Sequence, residues 1–293
     1  MSLAVVAAAL LAAADPAPAS PPPAAAPPPA APAAATPPAA AADAAPPAEA
    51  WKPADPANTL VIDTTKGRVI VELHPEVAPN AVARIKTLAK RGYYDNSLFY
   101  RVLKGFVAQG GDKGNKQYTS ELPNLKGEFT FHKTAAMPYG AIGSTPGGEV
   151  GFIGALPVMV ETPPAGKEAE PPRAWVYFCA GTASMPHGGN PNSANSQLFL
   201  LRGHATNLEK TFTAFGRVIS GQEAVDSFAN GEPPPNPDKM TRVRLLADIP
   251  AAQRPKVQVM DTASPGFQAM AVKTLQAHPN YSICEIPVPV QVQ

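Results

Sequence analysis

The sequence lacks the side-chain patterns on which most metal-dependent, nucleophilic and nucleotide-binding enzymes rely. Its five histidines show neither the H-E-x-x-H motif nor any paired metal-ligand spacing. Gly143-Ser144 lacks the flanking glycines of a nucleophile elbow, and residues 110–114 fit neither a P-loop nor a dinucleotide-binding fingerprint. We therefore expect no metal site and no cofactor.

Positive charge is absent from the first 50 residues. All 24 Lys and Arg residues lie after residue 50, and three of the 23 acidic residues precede it, so residues 51–293 carry 24 minus 20, or +4. This excess is too small and too dispersed to indicate a nucleic-acid-binding protein. We expect no nucleic acid among the partners.

The N-terminus has one apolar run, at residues 3–14. Its length is typical of the apolar region of a secretory signal peptide and too short to span a bilayer, so we expect no stable membrane span. Residues 1–14 are interpreted as a signal peptide, which predicts a periplasmic protein secreted through the inner membrane. Because no basic residue precedes Lys52, a disordered Ala-rich leader is the alternative.

Large apolar side chains are absent between residue 15 and Trp51. Thirteen of the 37 prolines lie in the first 50 residues, mixed with alanine. Such a segment cannot bury enough surface to offset chain entropy, so residues 15–56 are predicted to be a disordered linker rich in polyproline II. A further hypothesis is that its X-Pro bonds visit a binding site on the same chain.

Cysteine is nearly absent, with only Cys179 and Cys284. Two cysteines form no disulfide framework. They can pair in an oxidising compartment or remain as two buried free thiols, and the sequence leaves both possibilities open.

The chain from residue 59 onwards has the pattern of a mostly β protein. Two β-branched runs at 60–64 and 68–73 are separated by Thr65-Lys66-Gly67, which predicts a hairpin. Apolar residues at helical spacing predict a helix over 79–92 with Asn80 as its N-cap, and a second short helix is predicted over 222–228. A strand pair is predicted over 99–109, and core strands are predicted at 173–179, 211–219 and 241–247. Residues 181–201 are predicted to form a loop rich in glycine and asparagine that leads into a buried strand. Many short strands with two helices indicate a closed barrel.

Two segments do not fit this barrel pattern. Residues 134–172 alternate Gly-Gly and Pro-Pro pairs around one apolar run and are interpreted as an insertion, with room for a small hairpin. Residues 250–293 form a C-terminal extension with strand-like segments at 256–260 and 283–290 and a helix-like segment at 267–276. We expect this extension to pack on the barrel.

Residues 99–112 contain the main candidate site. They place Phe99, Arg101, Phe106 and Gln109 within eleven residues, followed by a Gly-Gly pair that favours a turn. A cation, an amide and aromatic walls can bind, twist and polarise a peptide. No pattern of catalytic acids or bases accompanies them.

Two more motifs strengthen this interpretation, one at residues 192–199 and one, Phe-Gly-Arg-Val, at residues 215–218. Together with residues 99–112 they resemble the F-x-R-V-x-x-x-F-x-x-Q-G-G-D, N-x-x-x-S-Q-F-F and F-G-x-V signatures of the cyclophilin family of peptidyl-prolyl isomerases. Leu198 replaces the first phenylalanine of the second signature. The resemblance covers residues 59–247. It implies a closed, antiparallel, eight-stranded β-barrel capped by two helices, formed by residues 57–249 with the insertion.

The resemblance also implies roles for individual residues. Arg101, Gln109 and Phe106 are expected to be catalytic, with Arg101 as the donor to the substrate and Gln109 hydrogen-bonded to the substrate backbone. The expected substrate-binding residues, among which His187 contributes its backbone N–H, are Phe99, Val107, His187, Ser196, Gln197, Phe199, Leu208 and Phe212.

Three positions depart from the family pattern. Val107 stands where methionine is usual, Phe212 where many eukaryotic members have histidine, and Asn207 where they have tryptophan. We expect the chemistry of Arg101 to be retained and the pocket to be reshaped.

Two functions follow from the sequence. The first is a cofactor-independent, monomeric peptidyl-prolyl cis-trans isomerase that acts on proline-containing polypeptides and assists the folding of exported proteins. The alternative is a cyclophilin-fold binding module or chaperone with little turnover. An isomerase assay on the wild type and an Arg101→Ala variant distinguishes them.

Overall fold

The computed structural model describes residues 50–112, 120–278 and 281–293. Within these ranges the chain forms sixteen strands and three α-helices. The strands are β1 (Trp51–Pro53), β2 (Thr59–Thr64), β3 (Gly67–Leu73), β4 (Ser97–Val102), β5 (Val107–Asp112), β6 (Phe131–His132), β7 (Tyr139–Thr145), β8 (Gly148–Ile153), β9 (Leu156–Glu161), β10 (Arg173–Val176), β11 (Thr182–Met185), β12 (Leu198–Leu201), β13 (Thr213–Ser220), β14 (Lys239–Leu245), β15 (Val257–Met260) and β16 (Val290–Val292). The helices are α1 (Pro79–Lys90), α2 (Gln222–Asp226) and α3 (Pro265–Ala277). The predicted signal peptide and residues 15–49 of the predicted linker lie outside the described residues.

Eight of the strands form a closed antiparallel barrel in the order β11-β12-β5-β4-β14-β2-β3-β13. The predicted eight-stranded fold is confirmed. Side chains that alternate along each strand point into the barrel, as Leu60 and Ile62 do on β2, while Val61 between them packs outside against Leu246 and Ile249. The predicted hairpin is present, with Thr64 paired with Gly67 at the β2–β3 turn.

Strand β11 lies where the sequence predicted only a loop rich in glycine and asparagine. All four of its residues are buried, and it pairs with both β12 and β13. Its β-structure therefore depends on two neighbouring strands rather than on local propensity.

Helix α1 begins at Pro79, and its N-cap residue is Ala78, so the prediction of Asn80 as the N-cap is wrong. The carboxylate of Glu128, which is distant in the sequence but in direct contact, caps the helix instead. Its two oxygens accept hydrogen bonds from the backbone N–H groups of Asn80 (3.0 Å) and Ala81 (2.9 Å). A carboxylate at this end also complements the helix dipole.

The insertion forms a complete sheet rather than a small hairpin. Its five antiparallel strands have the order β6-β10-β9-β8-β7. Strand β10, which contains Trp175, pairs with β6 and β9 and not with a barrel strand. The prediction that residues 173–179 resume the barrel is therefore wrong, and the insertion extends from Phe131 to Val176.

A third sheet joins the two ends of the described chain. Strand β15 lies between β1 and β16, and Trp51 pairs with Met260. The predicted linker boundary at residue 56 is therefore too late, because residues 51–53 already form a strand. Helix α3 packs through Phe267 against Phe152 of the insertion, with ring centroids 5.3 Å apart. No helix in the described ranges is long and apolar enough to cross a membrane.

Cys179 and Cys284 form a disulfide, with their Cα atoms 5.2 Å apart. The bond links the segment between β10 and β11 to the C-terminal extension, across a sequence separation of 105 residues. Of the two possibilities that the sequence left open, the structure contains the paired one.

A group of charged side chains surrounds the buried His74 where β3 meets the insertion. The ring of His74 contacts Glu76 through Nδ1 (2.7 Å) and Glu72 through Nε2 (3.1 Å). Glu72 also accepts a hydrogen bond from the backbone N–H of Ala155 in the insertion (2.7 Å), and it pairs in register with Arg217 on β13. Each charge therefore has an opposite charge as a neighbour, as buried charges require.

Burial opposes the charge on His74, but the carboxylates of Glu72 and Glu76 outweigh this effect and raise the pKa of the imidazole to about 10. Burial likewise opposes ionisation of Glu72, yet the neighbouring His74 holds the pKa of that carboxyl below its ordinary value. Burial lowers the pKa of Arg217 to about 10. The imidazole of His74 is thus protonated at neutral pH.

Candidate active site

The register of three neighbouring barrel strands places the central side chains of the site in one row. Arg101 on β4 lies opposite Gln109 on β5, and Gln109 lies opposite Phe199 on β12. Residues directly opposite in antiparallel strands share one face of the sheet. The next row, Val102, Ala108 and Leu200, belongs to the barrel core. The row that contains Arg101 therefore faces outwards.

An apolar pocket borders this row. Val107, Phe199 and Leu208 are buried in one hydrophobic cluster, and Phe106 and Phe212 pack against it while remaining partly exposed. The ring of Phe212 meets Phe199 edge-on, with centroids 5.9 Å apart and an interplanar angle of 78°. Five of the side chains predicted to be catalytic or substrate-binding are thus brought together.

Gln109 belongs to a hydrogen-bonded network of amides. Its Nε2 donates to Oε1 of Gln197 (2.8 Å) and to the hydroxyl of Tyr100 (2.5 Å), and that hydroxyl in turn donates to Gln197. These bonds fix the orientation of the Gln109 amide. Since its nitrogen is occupied within the protein, the amide oxygen is the atom that can accept a hydrogen bond from a bound peptide.

The guanidinium of Arg101 is held from two sides. Its Cζ lies 5.9 Å from the centroid of the Phe106 ring, within the range of a cation–π contact. Its Nε donates a hydrogen bond to Oε1 of Glu232 (2.7 Å). The cation therefore lies beside the aromatic pocket with its orientation restricted.

His187 lies at the edge of the pocket, stacked on Phe212 with ring centroids 4.3 Å apart. Its ring nitrogens contact the carbonyl oxygens of Gly188 (2.7 Å) and Thr211 (2.8 Å). Among the described residues no acceptor takes up the backbone N–H of His187. The predicted donation from this N–H group to a substrate carbonyl stays a prediction.

Two of the predicted site residues do not reach the surface. Phe99 is fully buried in the barrel core and stacks on Phe228, with centroids 4.4 Å apart. Ser196 is also fully buried, and its carbonyl oxygen accepts from the Tyr94 hydroxyl (2.8 Å). Their assignment as substrate-binding residues is wrong, because neither side chain is accessible to a peptide. Both support the site from behind.

A buried arginine fixes the loops behind the row of site residues. Arg84 of α1 donates to the carbonyl oxygens of Asn195 (2.9 Å) and Pro123 (2.6 Å). Asn195 in turn donates from Nδ2 to the carbonyl oxygen of Leu122 (2.8 Å). The segment that leads to Gln197 is therefore held on both sides.

The insertion contacts the turn that carries Leu208. Glu209 accepts hydrogen bonds from the Trp175 indole (3.4 Å) and from the backbone N–H of Phe178 (3.3 Å), and Lys210 lies 4.3 Å from the Trp175 ring centroid. Burial raises the pKa of the Glu209 carboxyl above its ordinary value. The pocket wall is thus attached to β10 and its continuation.

Sequence reasoning missed Tyr100 and Glu232. Tyr100 stands inside the main motif, but a strand register was needed to bring its hydroxyl beside Gln109. Glu232 lies 131 residues from Arg101, and no local motif marks it. Within the described part of the chain, no group of three His, Cys, Asp or Glu residues is arranged to hold a metal ion.

A fixed cation, an oriented amide and an apolar pocket on the outside of a closed barrel are the features of an enzyme that binds a peptide and rotates a bond. The family model for cyclophilin-type peptidyl-prolyl cis-trans isomerases matches residues 59–245. The chain belongs to this family, and its activity is that of a peptidyl-prolyl cis-trans isomerase. The matched range contains the whole barrel and the insertion.

Individual relatives agree with this assignment. A Brucella suis protein named "Probable peptidyl-prolyl cis-trans isomerase" is 33% identical over 196 residues, which cover 65% of this chain and 84% of the relative. Peptidyl-prolyl cis-trans isomerase B of Bacillus subtilis is 30% identical over 165 residues, or 56% of this chain and 85% of the relative. The crystal structure of the cyclophilin AquaCyp293 from Hirschia baltica matches with a TM-score of 0.75 at 30% identity, covering 83% of this chain and 93% of that one. This last match extends well beyond the 59–245 range, so its similarity includes part of the N- or C-terminal segments.

Proposed function

We propose that Arg101 is the group that accelerates rotation about X-Pro bonds in proline-containing polypeptides. One observation carries the proposal: Arg101, Gln109 and Phe199 form a single outward-facing row across β4, β5 and β12, beside the apolar pocket. A peptide bound along this row meets the donor Arg101, the acceptor Gln109 and the apolar side chain of Phe199 in a fixed order.

The chemical task is to lower the barrier of about 20 kcal/mol that amide resonance imposes on rotation. When the bond is twisted, the prolyl nitrogen loses its conjugation and its lone pair becomes a hydrogen-bond acceptor. A donor directed at this nitrogen binds the twisted state more tightly than either planar isomer, and such differential binding is what catalysis requires. The guanidinium of Arg101 is such a donor.

The neighbouring groups hold the two sides of the bond. Phe106, Phe199 and Phe212 provide the surface against which a proline ring packs. The amide oxygen of Gln109 accepts from a substrate N–H, and the backbone N–H of His187 donates to a substrate carbonyl. Rotation then occurs while the ring stays in the pocket.

The first test is the pH dependence of the rate. Because a guanidinium carries no proton that dissociates near neutrality, kcat/KM should change by less than about twofold between about pH 6 and 9. A protease-coupled assay on a proline peptide, with the protease concentration adjusted at each pH, measures this. A bell-shaped profile would indicate general acid–base catalysis and would contradict the mechanism.

We also propose that the protein acts in the periplasm on the folding of exported proteins. The apolar run at residues 3–14 and the Pro/Ala-rich segment after it support export and a tether. The Cys179–Cys284 disulfide supports an oxidising compartment, because such bonds rarely persist in the cytosol.

Thiol accessibility in cell fractions tests this location. When the full-length gene is expressed, the protein should be recovered from the periplasmic fraction in a form shortened at its N-terminus. Alkylation under denaturing conditions should label neither cysteine until a reductant is added. Mass spectrometry reads both properties at once. Recovery in the cytosol with two labelled thiols would overturn the proposed location.

A further inference from the structure

We propose that Glu232 is a positioning residue for Arg101, holding the guanidinium so that its two Nη groups face the substrate. This inference rests on the proposed role of Arg101. It assigns a task to a residue outside the motifs that define the site. Glu232 is not proposed to touch the substrate.

The hydrogen-bond pattern favours positioning over simple charge neutralisation. Glu232 binds the Nε–H of Arg101 at 2.7 Å, and within the described residues the guanidinium makes no other hydrogen bond. The Nη groups, with four of the five N–H donors, are therefore left for a ligand. The contact at Nε and the Phe106 ring together restrict rotation of the guanidinium.

The backbone next to Glu232 places its side chain beside Arg101. Gly231, its neighbour, forms a two-way backbone bridge with Val102, the neighbour of Arg101, at 2.8 and 2.9 Å. This bridge sets Glu232 and Arg101 side by side. The location of the carboxylate thus follows from the backbone.

Side chains at both ends of this segment hold it in place. Arg202 donates to Oδ1 of Asn230 at 2.7 Å. Buried Asp238 accepts from the Thr65 hydroxyl (2.6 Å) and from the backbone N–H of Ala229 (2.8 Å). A segment held at both ends presents Glu232 on a rigid support, which precise positioning requires.

Because the ion pair between Arg101 and Glu232 is partly exposed, removal of Glu232 should affect the catalytic rate much more than the stability of the fold. The side chains of Arg101 and Glu232 are 25% and 52% exposed. An ion pair this exposed contributes little to folding. Removing the carboxylate should therefore leave the fold stable while allowing the catalytic cation to move.

The test uses the full chain and three variants. In Glu232→Ala, kcat should fall roughly tenfold with KM nearly unchanged, because peptide binding persists while the donor is misplaced. Glu232→Gln keeps an acceptor for Nε and should recover most of the rate. Glu170→Ala, which removes an exposed partner of Lys167 in the insertion, is the matched control and should behave as wild type. Thermal unfolding should show all three within about 2 °C of wild type.

A double variant decides whether Glu232 acts through Arg101. In an Arg101→Ala background, Glu232→Ala should cause no further loss. Multiplied losses, or an equal loss in Glu232→Gln and Glu232→Ala, would overturn the positioning role. If Arg101→Ala is slow while Glu232→Ala keeps wild-type kcat, only this inference fails. If Arg101→Ala itself is as fast as wild type, the proposed function fails.

Discussion

Replacing Arg101 with alanine should lower kcat/KM for a proline peptide by about 100-fold, because removal of one well-placed transition-state donor typically costs this much. The variant retains the pocket formed by Val107, Phe199 and Phe212, so peptide binding should weaken far less than turnover. Arg101→Lys should recover only part of the rate. A lysine keeps the charge but lacks the planar guanidinium that contacts both Glu232 and Phe106.

A protease-coupled assay and a peptide titration measure the two quantities separately. Arg68→Ala is a suitable control, since Arg68 pairs with Asp63 on the exposed hairpin between β2 and β3. This variant should match the wild type in both measurements. An Arg101→Ala variant with wild-type kcat/KM would show that the groove accelerates rotation without this donor.

The largest expected effect on stability comes from His74, which lies between two carboxylates. His74→Gln should lower the free energy of unfolding at pH 7 by about 3 kcal/mol, because it leaves Glu72 and Glu76 without the cation between them. Glutamine is close to histidine in size and keeps a donor. The loss therefore reports the missing charge more than a cavity.

The charge on His74 also makes stability depend on pH in a defined direction. The imidazole binds its proton more tightly in the folded protein, where its pKa is about 10, than in the unfolded chain, where the ordinary value is 6.5. Its contribution is complete below pH 6.5 and is lost as the pH rises from 6.5 to about 10. Within this window the free energy of unfolding should fall by about 1.4 kcal/mol for each pH unit.

Urea unfolding at pH 7, 8 and 9 tests this dependence. The wild type should lose stability across the series, whereas His74→Gln should lose much less. His132→Gln, at an exposed histidine of β6, is the matched control and should follow the wild type. Parallel curves for the wild type and His74→Gln would show that the charge of His74 does not stabilise the fold.

The barrel could be predicted from local patterns because its strands alternate inward and outward side chains. Leu60 and Ile62 on β2 illustrate this pattern. The separate sheet of the insertion could not be predicted in this way, because Trp175 lies in an apolar run that suits a barrel strand and an insertion strand equally well. Its cross-strand partner Met159, and the partners Val160 and Phe131 of the adjacent Ala174, are known only once the chain has folded.

The residues of the candidate site also fall into two groups: those that the local sequence predicts and those that only the structure identifies. Arg101, Phe106 and Gln109 could be identified because they share one short motif. Phe99 belongs to the same motif but faces the core, since the pairing of β4 with β5 is irregular around it, and such irregularities leave no local signal. Glu232 approaches Arg101 through a backbone bridge between distant segments, which only the structure reveals.

The central claim is that Arg101 stabilises the twisted peptide bond rather than the bound peptide. Exchange NMR of a proline peptide saturated with wild-type or Arg101→Ala protein tests it most directly, because one sample reports both binding and the cis–trans exchange rate. The variant should shift the peptide resonances as the wild type does, while its catalysed exchange falls by about 100-fold. Equal exchange rates in the two samples would contradict the claim.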